Sequence, residues 1–148
     1  MRPLPLLRLF ARLILAATFI AAALPKILDP VAFAMAIDGY QVLDQVYLSY
    51  AALVLPWLEL VVAFGLFIPF FARASSLTIS ALLVLFIALH ASAWARGLDI
   101  SCGCFGTSTL DTDGPNYLLL IGRNSLLLLA AVWLLIYDFR NFARSRLP

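Results

Sequence analysis

The sequence predicts an all-α integral membrane protein, a bundle of four transmembrane helices forming a single domain over residues 1–148. Of its 148 residues, 64% are hydrophobic and 12% are charged, whereas soluble domains are close to half apolar and a quarter charged. Four separate apolar runs also reach the roughly 20 residues that a helix needs to cross the hydrocarbon core of a bilayer. The net charge of +2 comes from scattered side chains, a pattern that does not favour nucleic-acid binding.

The four apolar runs define the predicted transmembrane helices in chain order. They cover residues 6–24, 46–71, 74–95 and 117–137. The first run also has the basic start and short apolar core of a signal peptide, and we interpret it as the first helix. Arg8 and Arg12 are predicted to lie on one face of that helix and to extend toward the lipid headgroups. After it, residues 31–37 are apolar enough to form a short helix along the membrane surface.

The basic residues predict the orientation of the bundle, because cytoplasmic loops carry an excess of lysine and arginine. With the N-terminus inside, seven basic residues lie on the cytoplasmic side and three on the outer side. The cytoplasmic set is Arg2, Arg8, Arg12, Arg73, Arg140, Arg144 and Arg146, and the outer set is Lys26, Arg96 and Arg123. Both termini are therefore predicted to be cytoplasmic, with the segment between the third and fourth helices outside.

The only two cysteines, Cys102 and Cys104, lie in the stretch "RGLDISCGCFG" between the third and fourth predicted helices. The predicted orientation places them on the outer, oxidising side, where disulfides persist. Gly103 makes closure of so small a ring easier, and strained disulfides tend to be labile and reactive. Such a short ring constrains the unfolded chain very little, so it is a poor structural staple. The pair is predicted to be redox-active, and a soft-metal clip or an inert pair are the alternatives.

A single cysteine pair carries two electrons and has no second pair in this chain to receive them. Cys102 and Cys104 are therefore predicted to exchange directly with a partner protein, with a membrane quinone, or with both in turn. Arg96 and Asp99 carry opposite charges nearby, and a cation favours the reactive thiolate whereas an anion disfavours it. The sequence does not distinguish the attacking cysteine from the resolving one.

Ionisable residues inside the predicted helices form a second candidate site, because such residues in a membrane usually have a function. Glu59 lies near the middle of the second helix, His90 and Arg123 lie below the outer ends of the third and fourth, and Lys26 ends the first. A bundle brings these four together beneath the cysteine segment. Arg123 or Lys26 is the predicted counter-ion of Glu59, because an unpaired charge in hydrocarbon is costly. The pair is either structural or involved in proton handling or quinone placement.

Three further residues are candidates for contact with a quinone: Trp57, Trp94 and His90. The alternative for the tryptophans is packing or an interfacial position, and the alternative for His90 is a hydrogen-bonded interior residue. Neither a resident metal nor a definite cofactor is predicted, and quinone is the one cofactor that the pattern suggests.

Four pieces of sequence occur in order: "LPK" at the end of the first helix, "DPVAFAMAIDGY" after it, "LPWLELVVAFGLFI" in the second, and "RGLDISCGCFG" after the third. On these motifs the chain resembles the methylamine utilisation protein MauE family, within the broader DoxX-like group of four-helix membrane proteins. The resemblance implies a multi-pass protein of the bacterial inner membrane, associated with periplasmic disulfide formation and a thioredoxin-like partner. It assigns Cys102 and Cys104 as the redox pair, and Glu59, Lys26 and Arg96 as motif positions.

The predicted function is a membrane thiol–disulfide oxidoreductase, or the redox partner of a periplasmic thioredoxin-like protein, with quinone as the candidate electron carrier. Two alternatives stay open at this point: a membrane protein that binds or transfers a soft metal, and a non-catalytic maturation factor. The direction of electron flow, the physiological substrate and the oligomeric state do not follow from the sequence.

Overall fold

The computed structural model describes residues 3–98 and 117–145, with the side chains of residues 6–98 and 117–140. Within these ranges the chain is helical apart from turns and short connections, and it contains no strand. The helices follow one another as α1 (Pro3–Leu28), α2 (Pro30–Gly39), α3 (Gln45–Gly65), α4 (Ala72–Ala95) and α5 (Tyr117–Ser145).

Four of these helices are long and apolar enough to span a membrane. The spans are Leu6–Leu28, Gln45–Gly65, Ala72–Ala95 and Tyr117–Arg140, and each contains 21 to 24 residues. At about 1.5 Å per residue, these lengths exceed the hydrocarbon thickness of about 30 Å. A helix also satisfies its own backbone hydrogen bonds in lipid, where no water is available. The prediction of an all-α membrane protein with four apolar spans is confirmed, whereas the orientation of its termini stays a prediction.

The four long helices form a closed ring. α1 packs against α3, α3 against α4, α4 against α5, and α5 against α1, so α3 lies opposite α5 and α1 lies opposite α4. Apolar side chains from all four helices meet in the centre, among them Leu15, Phe19, Val62, Ile79, Leu83 and Leu134. We name the end where α4 ends and α5 begins the loop end, and the end where α1 begins and α5 ends the terminal end.

The apolar run of residues 46–71 does not form a single helix, which corrects the predicted end of the second span. α3 ends at Gly65, and residues 66–71 form successive turns before α4 begins. Pro69 explains the break, because proline has no amide hydrogen for a helix and disfavours helical geometry in the preceding residue. Hydrophobicity alone does not show this break, since residues 66–71 are leucine, isoleucine or phenylalanine apart from Pro69.

Helix α1 ends within the bundle, and α2 continues the chain toward the loop end. Asp29 caps the start of α2 by accepting a hydrogen bond from the amide of Ala32 at 2.9 Å. Phe33, near the start of α2, lies beside Lys26 of α1, and Tyr40, which follows α2, reaches the end of α4. The short helix is therefore present as predicted, but it runs alongside the long helices and not along the membrane surface.

Candidate functional site

We name residues 99–116, which join α4 to α5, the cysteine segment. The described residues on both sides of it contact each other at the loop end of the ring. Cys102 and Cys104 themselves lie outside the described residues, so their predicted redox role stays a prediction. Leu98 and Tyr117 flank the segment, and the Tyr117 hydroxyl donates a hydrogen bond to the Leu98 carbonyl oxygen. The chain therefore leaves α4 and enters α5 at neighbouring points.

A Schellman motif ends α4 just before the cysteine segment. The amide of Leu98 donates to the carbonyl of Ala93, and the amide of Gly97 donates to the carbonyl of Trp94, both at 3.1 Å. Gly97 has φ of +64°, the left-handed conformation that this motif needs and that glycine adopts without strain. Leu98 also packs with Ala93, as is usual for the motif. These contacts hold Leu98, the last described residue before the cysteine segment, against the end of α4.

Arg96 and His90 hold the end of α2 against α4. Arg96 Nη2 donates to the carbonyl oxygen of Tyr40 at 2.6 Å, and its Nε donates to the carbonyl oxygen of Ser92 at 3.3 Å. His90 is buried, and its Nδ1 is hydrogen-bonded to the carbonyl of Phe86. The Tyr40 ring meets the edge of the His90 ring with the centroids 6.0 Å apart. Arg96 and His90 therefore contact Tyr40 through its backbone and its ring.

Replacement of Arg96 should loosen the end of α2 without unfolding the ring. In Arg96→Gln the side chain is too short to reach the Tyr40 carbonyl, and the loss of one hydrogen bond to a partly exposed group costs about 1 kcal/mol. Hydrogen–deuterium exchange at the amides of Tyr40 and Gln41, which close the last turn of α2, should become severalfold faster. Exchange in α3 should not change. Arg140→Gln, which removes an exposed arginine at the terminal end, is the control, and equal effects of the two changes would contradict the assignment.

A fully buried ion pair joins α1 to α3. Lys26 Nζ donates to both carboxylate oxygens of Glu59, at 2.6 and 2.8 Å, and each side chain is only 1% exposed. Glu59 lies about 21 Å along α3 from Gln45 at ~1.5 Å per residue. The pair is therefore deep in the spanning region. Of the two counter-ions predicted for Glu59, Lys26 makes the ion pair that the structure shows.

Two aromatic rings complete the surroundings of the ammonium group. Lys26 Nζ lies 5.0 Å from the ring centroid of Phe33 and 5.4 Å from that of Phe86. A cation over an aromatic face is attracted to the negative charge of the ring, by about 2 kcal/mol when the site is dry. The rings come from α2 and α4, so the short helix and the opposite side of the ring both help to enclose the pair.

A small cavity, with a few polar groups in a mostly apolar lining, lies beside the ion pair. It measures about 30 Å³, and it is lined by Lys26, Glu59, Arg123 and Asn124 together with apolar side chains from α1, α4 and α5. Such a volume accommodates one or two water molecules, and its polar groups provide hydrogen-bond partners for them. Arg123 comes from α5, which lies opposite α3 in the ring. Arg123 therefore shares this cavity with Glu59, as the sequence predicts.

The structure separates the other predicted residues from this cavity. His90 and Arg96 lie nearer the loop end, in the contact with Tyr40. Trp57 and Trp94 are 59% and 54% exposed, and both project from the outer face of the ring. Trp94 is near the end of α4, at the loop end, whereas Trp57 lies about 18 Å along α3 from Gln45 at ~1.5 Å per residue. The three candidates for quinone contact thus lie apart in the described ring, and their contact with a quinone stays a prediction.

Metal-binding side chains do not cluster in the described part of the chain. No group of three histidine, cysteine or acidic side chains is placed there to hold a metal ion. The cysteine segment lies outside the described residues, so the soft-metal alternative stays open.

A second charged cluster, at the terminal end, was missed by the sequence analysis. Arg8 and Arg12 of α1 both contact Asp138 of α5, each at 2.8 Å, a contact that the sequence analysis did not predict. Asp138 follows directly after the predicted fourth helix, and α5 continues past it. The available signal was the pairing of two arginines at the start of the first helix with one acid at the end of the last. Asn124, buried in the cavity wall, was also missed.

The fold and the buried charges define a class: an α-helical, multi-pass membrane protein with a polar site enclosed by its spanning helices. Within that class the chain belongs to the methylamine utilisation protein MauE family, whose family model matches residues 4–137. No solved structure matches the chain significantly.

Three proteins named methylamine utilization protein MauE are similar to this chain. The protein from Methylorubrum extorquens is 36% identical over 135 residues, which cover 88% of this chain and 71% of the relative. The protein from Paracoccus denitrificans is 38% identical over 64% of this chain and 51% of the relative. The protein from Methylophilus methylotrophus is 34% identical over 68% of this chain and 53% of the relative. The chain thus aligns with about half the length of the last two relatives.

Proposed function

We propose that this protein is a membrane thiol–disulfide oxidoreductase that exchanges electrons with a thioredoxin-like protein through Cys102 and Cys104. The observation that carries the proposal is the Cys-Gly-Cys motif in the segment joining α4 to α5 of a MauE-family membrane protein. Support also comes from the Schellman motif and the Tyr117–Leu98 hydrogen bond, which anchor both ends of that segment. The relatives are named for methylamine utilisation, and the proposed thiol chemistry does not depend on that substrate.

The proposed exchange is a two-step thiol–disulfide transfer. One thiolate of the reduced pair attacks a disulfide of the partner, forming a mixed disulfide and releasing one partner thiolate. The second cysteine then attacks the mixed disulfide, which closes the Cys102–Cys104 bond and releases the second partner thiolate. Two electrons and two protons leave the pair and reduce the partner to a dithiol. The reverse sequence reduces the pair and oxidises the partner, and both directions pass through the same mixed disulfide.

We assign a structural role to the Lys26–Glu59 pair in this scheme. Both charges are already paired, and Phe86, which lies beside the pair, is about 18 Å along the chain from Leu98 at ~1.5 Å per residue. The pair is thus remote from the point where the cysteine segment leaves α4. Its position between α1 and α3 suits it to hold these helices together, with α2 and α4 packed around it.

Removal of one cysteine should trap the partner. If Cys104 resolves the mixed disulfide, Cys104→Ala leaves Cys102 joined to a partner cysteine, and the reciprocal Cys102→Ala traps little. If instead Cys102 resolves the mixed disulfide, Cys102→Ala traps the partner and Cys104→Ala traps little. We expect a reductant-sensitive adduct on non-reducing gels from membranes of cells expressing the variant, with a thioredoxin-like protein identified in it by mass spectrometry. Chemical quenching of thiols during lysis preserves the adduct.

A matched control separates a reactive pair from an ordinary exposed thiol. The variant Cys102→Ala/Cys104→Ala/Ser108→Cys carries a lone cysteine at another position in the same segment, and it should trap no thioredoxin-like protein. Equal trapping by this control, or the absence of an adduct from both single-cysteine variants, would contradict the proposal. A redox titration of the Cys102–Cys104 pair in proteoliposomes, with and without quinone, then measures whether quinone shifts its oxidation state. Labelling with a membrane-impermeant maleimide tests the outer location of the pair.

A further inference from the structure

The Arg8, Arg12 and Asp138 cluster at the terminal end has more positive than negative charge. Arg12 Nη2 donates to Asp138 Oδ2 at 2.8 Å, and Arg8 Nη2 lies 2.8 Å from Asp138 Oδ1. The Arg12 side chain is 11% exposed and the Asp138 side chain 4%. Two guanidinium groups thus share one carboxylate; Arg12 and Asp138 are largely shielded from water, whereas the Arg8 side chain is 33% exposed.

No other carboxylate of the described residues balances the excess charge. The remaining described acids are Asp29, Asp38, Asp44 and Glu59. The first three belong to α2 and the connection before α3, toward the loop end, and Glu59 is paired with Lys26. The cluster therefore keeps a net charge of about +1, and a buried charge without a counter-ion is costly.

Each arginine of the cluster also has an unused hydrogen-bond donor. The Nε atoms of Arg8 and Arg12 are buried and have no hydrogen-bond partner among the groups that the structure places around them, and neither has Asp138 Oδ1, which lies in ion-pair contact with Arg8. Buried donors are nearly always satisfied in folded proteins. A guanidinium group offers its Nε–H and one Nη–H as a planar fork, which fits two oxygens of a phosphate or carboxylate. The excess charge and the unused donors thus call for the same kind of ligand, an oxyanion.

The cluster lies at the depth of the lipid headgroups. Arg8 is near the start of the Leu6–Leu28 span, and Asp138 is near the end of the Tyr117–Arg140 span. The Arg8 guanidinium lies 5.4 Å from the ring centroid of Tyr137, and Tyr137 stacks on Trp133 with the centroids 5.8 Å apart. Tyrosine and tryptophan are enriched at this level of a membrane. The oxyanion most abundant there is the phosphate of a phospholipid.

We propose that Arg8, Arg12 and Asp138 form a binding site for the phosphate of an anionic phospholipid in the leaflet at the terminal end. The arginine forks bind the phosphate oxygens, while Asp138 of α5 keeps the two guanidinium groups of α1 in position. Basic pockets between transmembrane helices bind acidic headgroups in this way. A zwitterionic lipid offers the same phosphate, but its ammonium group cancels the charge that the site selects. The lipid thereby binds where the first helix of the ring packs against the last.

Native mass spectrometry of the full chain with dioleoylphosphatidylglycerol tests the proposal. Arg12→Gln should weaken binding of this lipid about tenfold or more, since hydrogen bonds to charged groups contribute about 1.5–3 kcal/mol and 1.4 kcal/mol corresponds to tenfold. Arg140→Gln, which removes an exposed arginine at the same end, should weaken it no more than about fivefold. Arg12→Lys keeps the charge but loses the fork, and it should also weaken binding. Equal losses in Arg12→Gln and Arg140→Gln would overturn the proposal.

Three further measurements distinguish lipid recognition from misfolding and from capture of free phosphate. Asp138→Asn removes the competing anion, so it should preserve or raise the affinity for phosphatidylglycerol, whereas a merely structural role for the cluster predicts a loss. Dioleoylphosphatidylcholine should bind at least about fivefold more weakly than phosphatidylglycerol, by the contribution of one charge. Inorganic phosphate at millimolar concentration should not displace phosphatidylglycerol. Displacement by phosphate, or equal binding of the two lipids, would contradict a site for anionic phospholipid.

Discussion

Removal of either partner of the buried ion pair is expected to destabilise the protein by about 3–5 kcal/mol, because the remaining charge is left buried without a counter-ion. Lys26→Met leaves the Glu59 carboxylate in the membrane interior, and Glu59→Gln leaves the Lys26 ammonium there. Both side chains are almost fully buried, so neither can turn to water without rearrangement of α1 or α3. The measurement is the free energy of unfolding in a detergent titration, followed by tryptophan fluorescence.

The double variant Lys26→Met/Glu59→Leu should recover most of this loss. Replacement of a whole buried ion pair by apolar residues of similar size is often neutral or stabilising, and the cation–aromatic contacts with Phe33 and Phe86 become apolar contacts. Asp44→Asn is the matched control for loss of a carboxylate, because Asp44 precedes α3 and makes no side-chain capping hydrogen bond. The free energy of unfolding of Asp44→Asn should differ from that of the unmodified protein by less than about 0.5 kcal/mol. A double variant as unstable as the poorer single variant would contradict the mutual pairing of Lys26 and Glu59.

A methyl group at Gly65 is expected to destabilise the junction of α3 and α4 by about 1–3 kcal/mol, the usual cost of overpacking. A Cβ on Gly65 would lie 2.2 Å from Ser75 Oγ, far inside contact distance. Ser75 is buried, so its hydroxyl has little room to move away. Small residues at such positions allow helix backbones to approach closely, as in other membrane bundles. Thermal unfolding of Gly65→Ala in detergent measures the effect.

Removal of the Ser75 hydroxyl should make the same substitution tolerable. In a Ser75→Ala background the nearest atom to the new methyl is the Cβ of residue 75 at 3.5 Å, an ordinary contact distance. Gly65→Ala should then cost less than about 0.5 kcal/mol. Gly122→Ala on α5 is the control, since no heavy atom lies within 4 Å of its added Cβ and alanine favours helix over glycine by about 1 kcal/mol. A cost of Gly65→Ala that is unchanged without the hydroxyl would contradict this explanation.

The charged residues show what the local sequence can predict and what it cannot: it shows which charge needs a partner, but not which residue is that partner. The sequence indicated that Glu59 needs a counter-ion, since an isolated charge in hydrocarbon is unfavourable, and it left Arg123 and Lys26 as alternatives. The ring order explains the ion pair with Lys26, because α1 is a neighbour of α3, and it also brings Arg123 of α5 to the cavity beside Glu59. The same order brings Asp138 of α5 to Arg8 and Arg12 of α1, a contact that no sequence spacing predicts over 126 residues.

The class of structure, and the residues able to carry charge or redox chemistry, could be predicted from the sequence. The number of spans follows from the runs of apolar residues. Any ionisable residue within such a run is a candidate for function, because burying its charge is costly. Both features can be read from the local sequence. The pairings of these residues follow from the packing of the helices and could not be predicted from the sequence: Lys26 with Glu59, Arg96 with Tyr40, and two arginines with Asp138. The structure also shows that α3 ends at Gly65 and that α2 packs beside α3 on the outside of the ring. The physical reason is that apolar helices of similar composition can pack in several orders, and the choice depends on the fit of their surfaces, which a hydrophobic pattern does not encode.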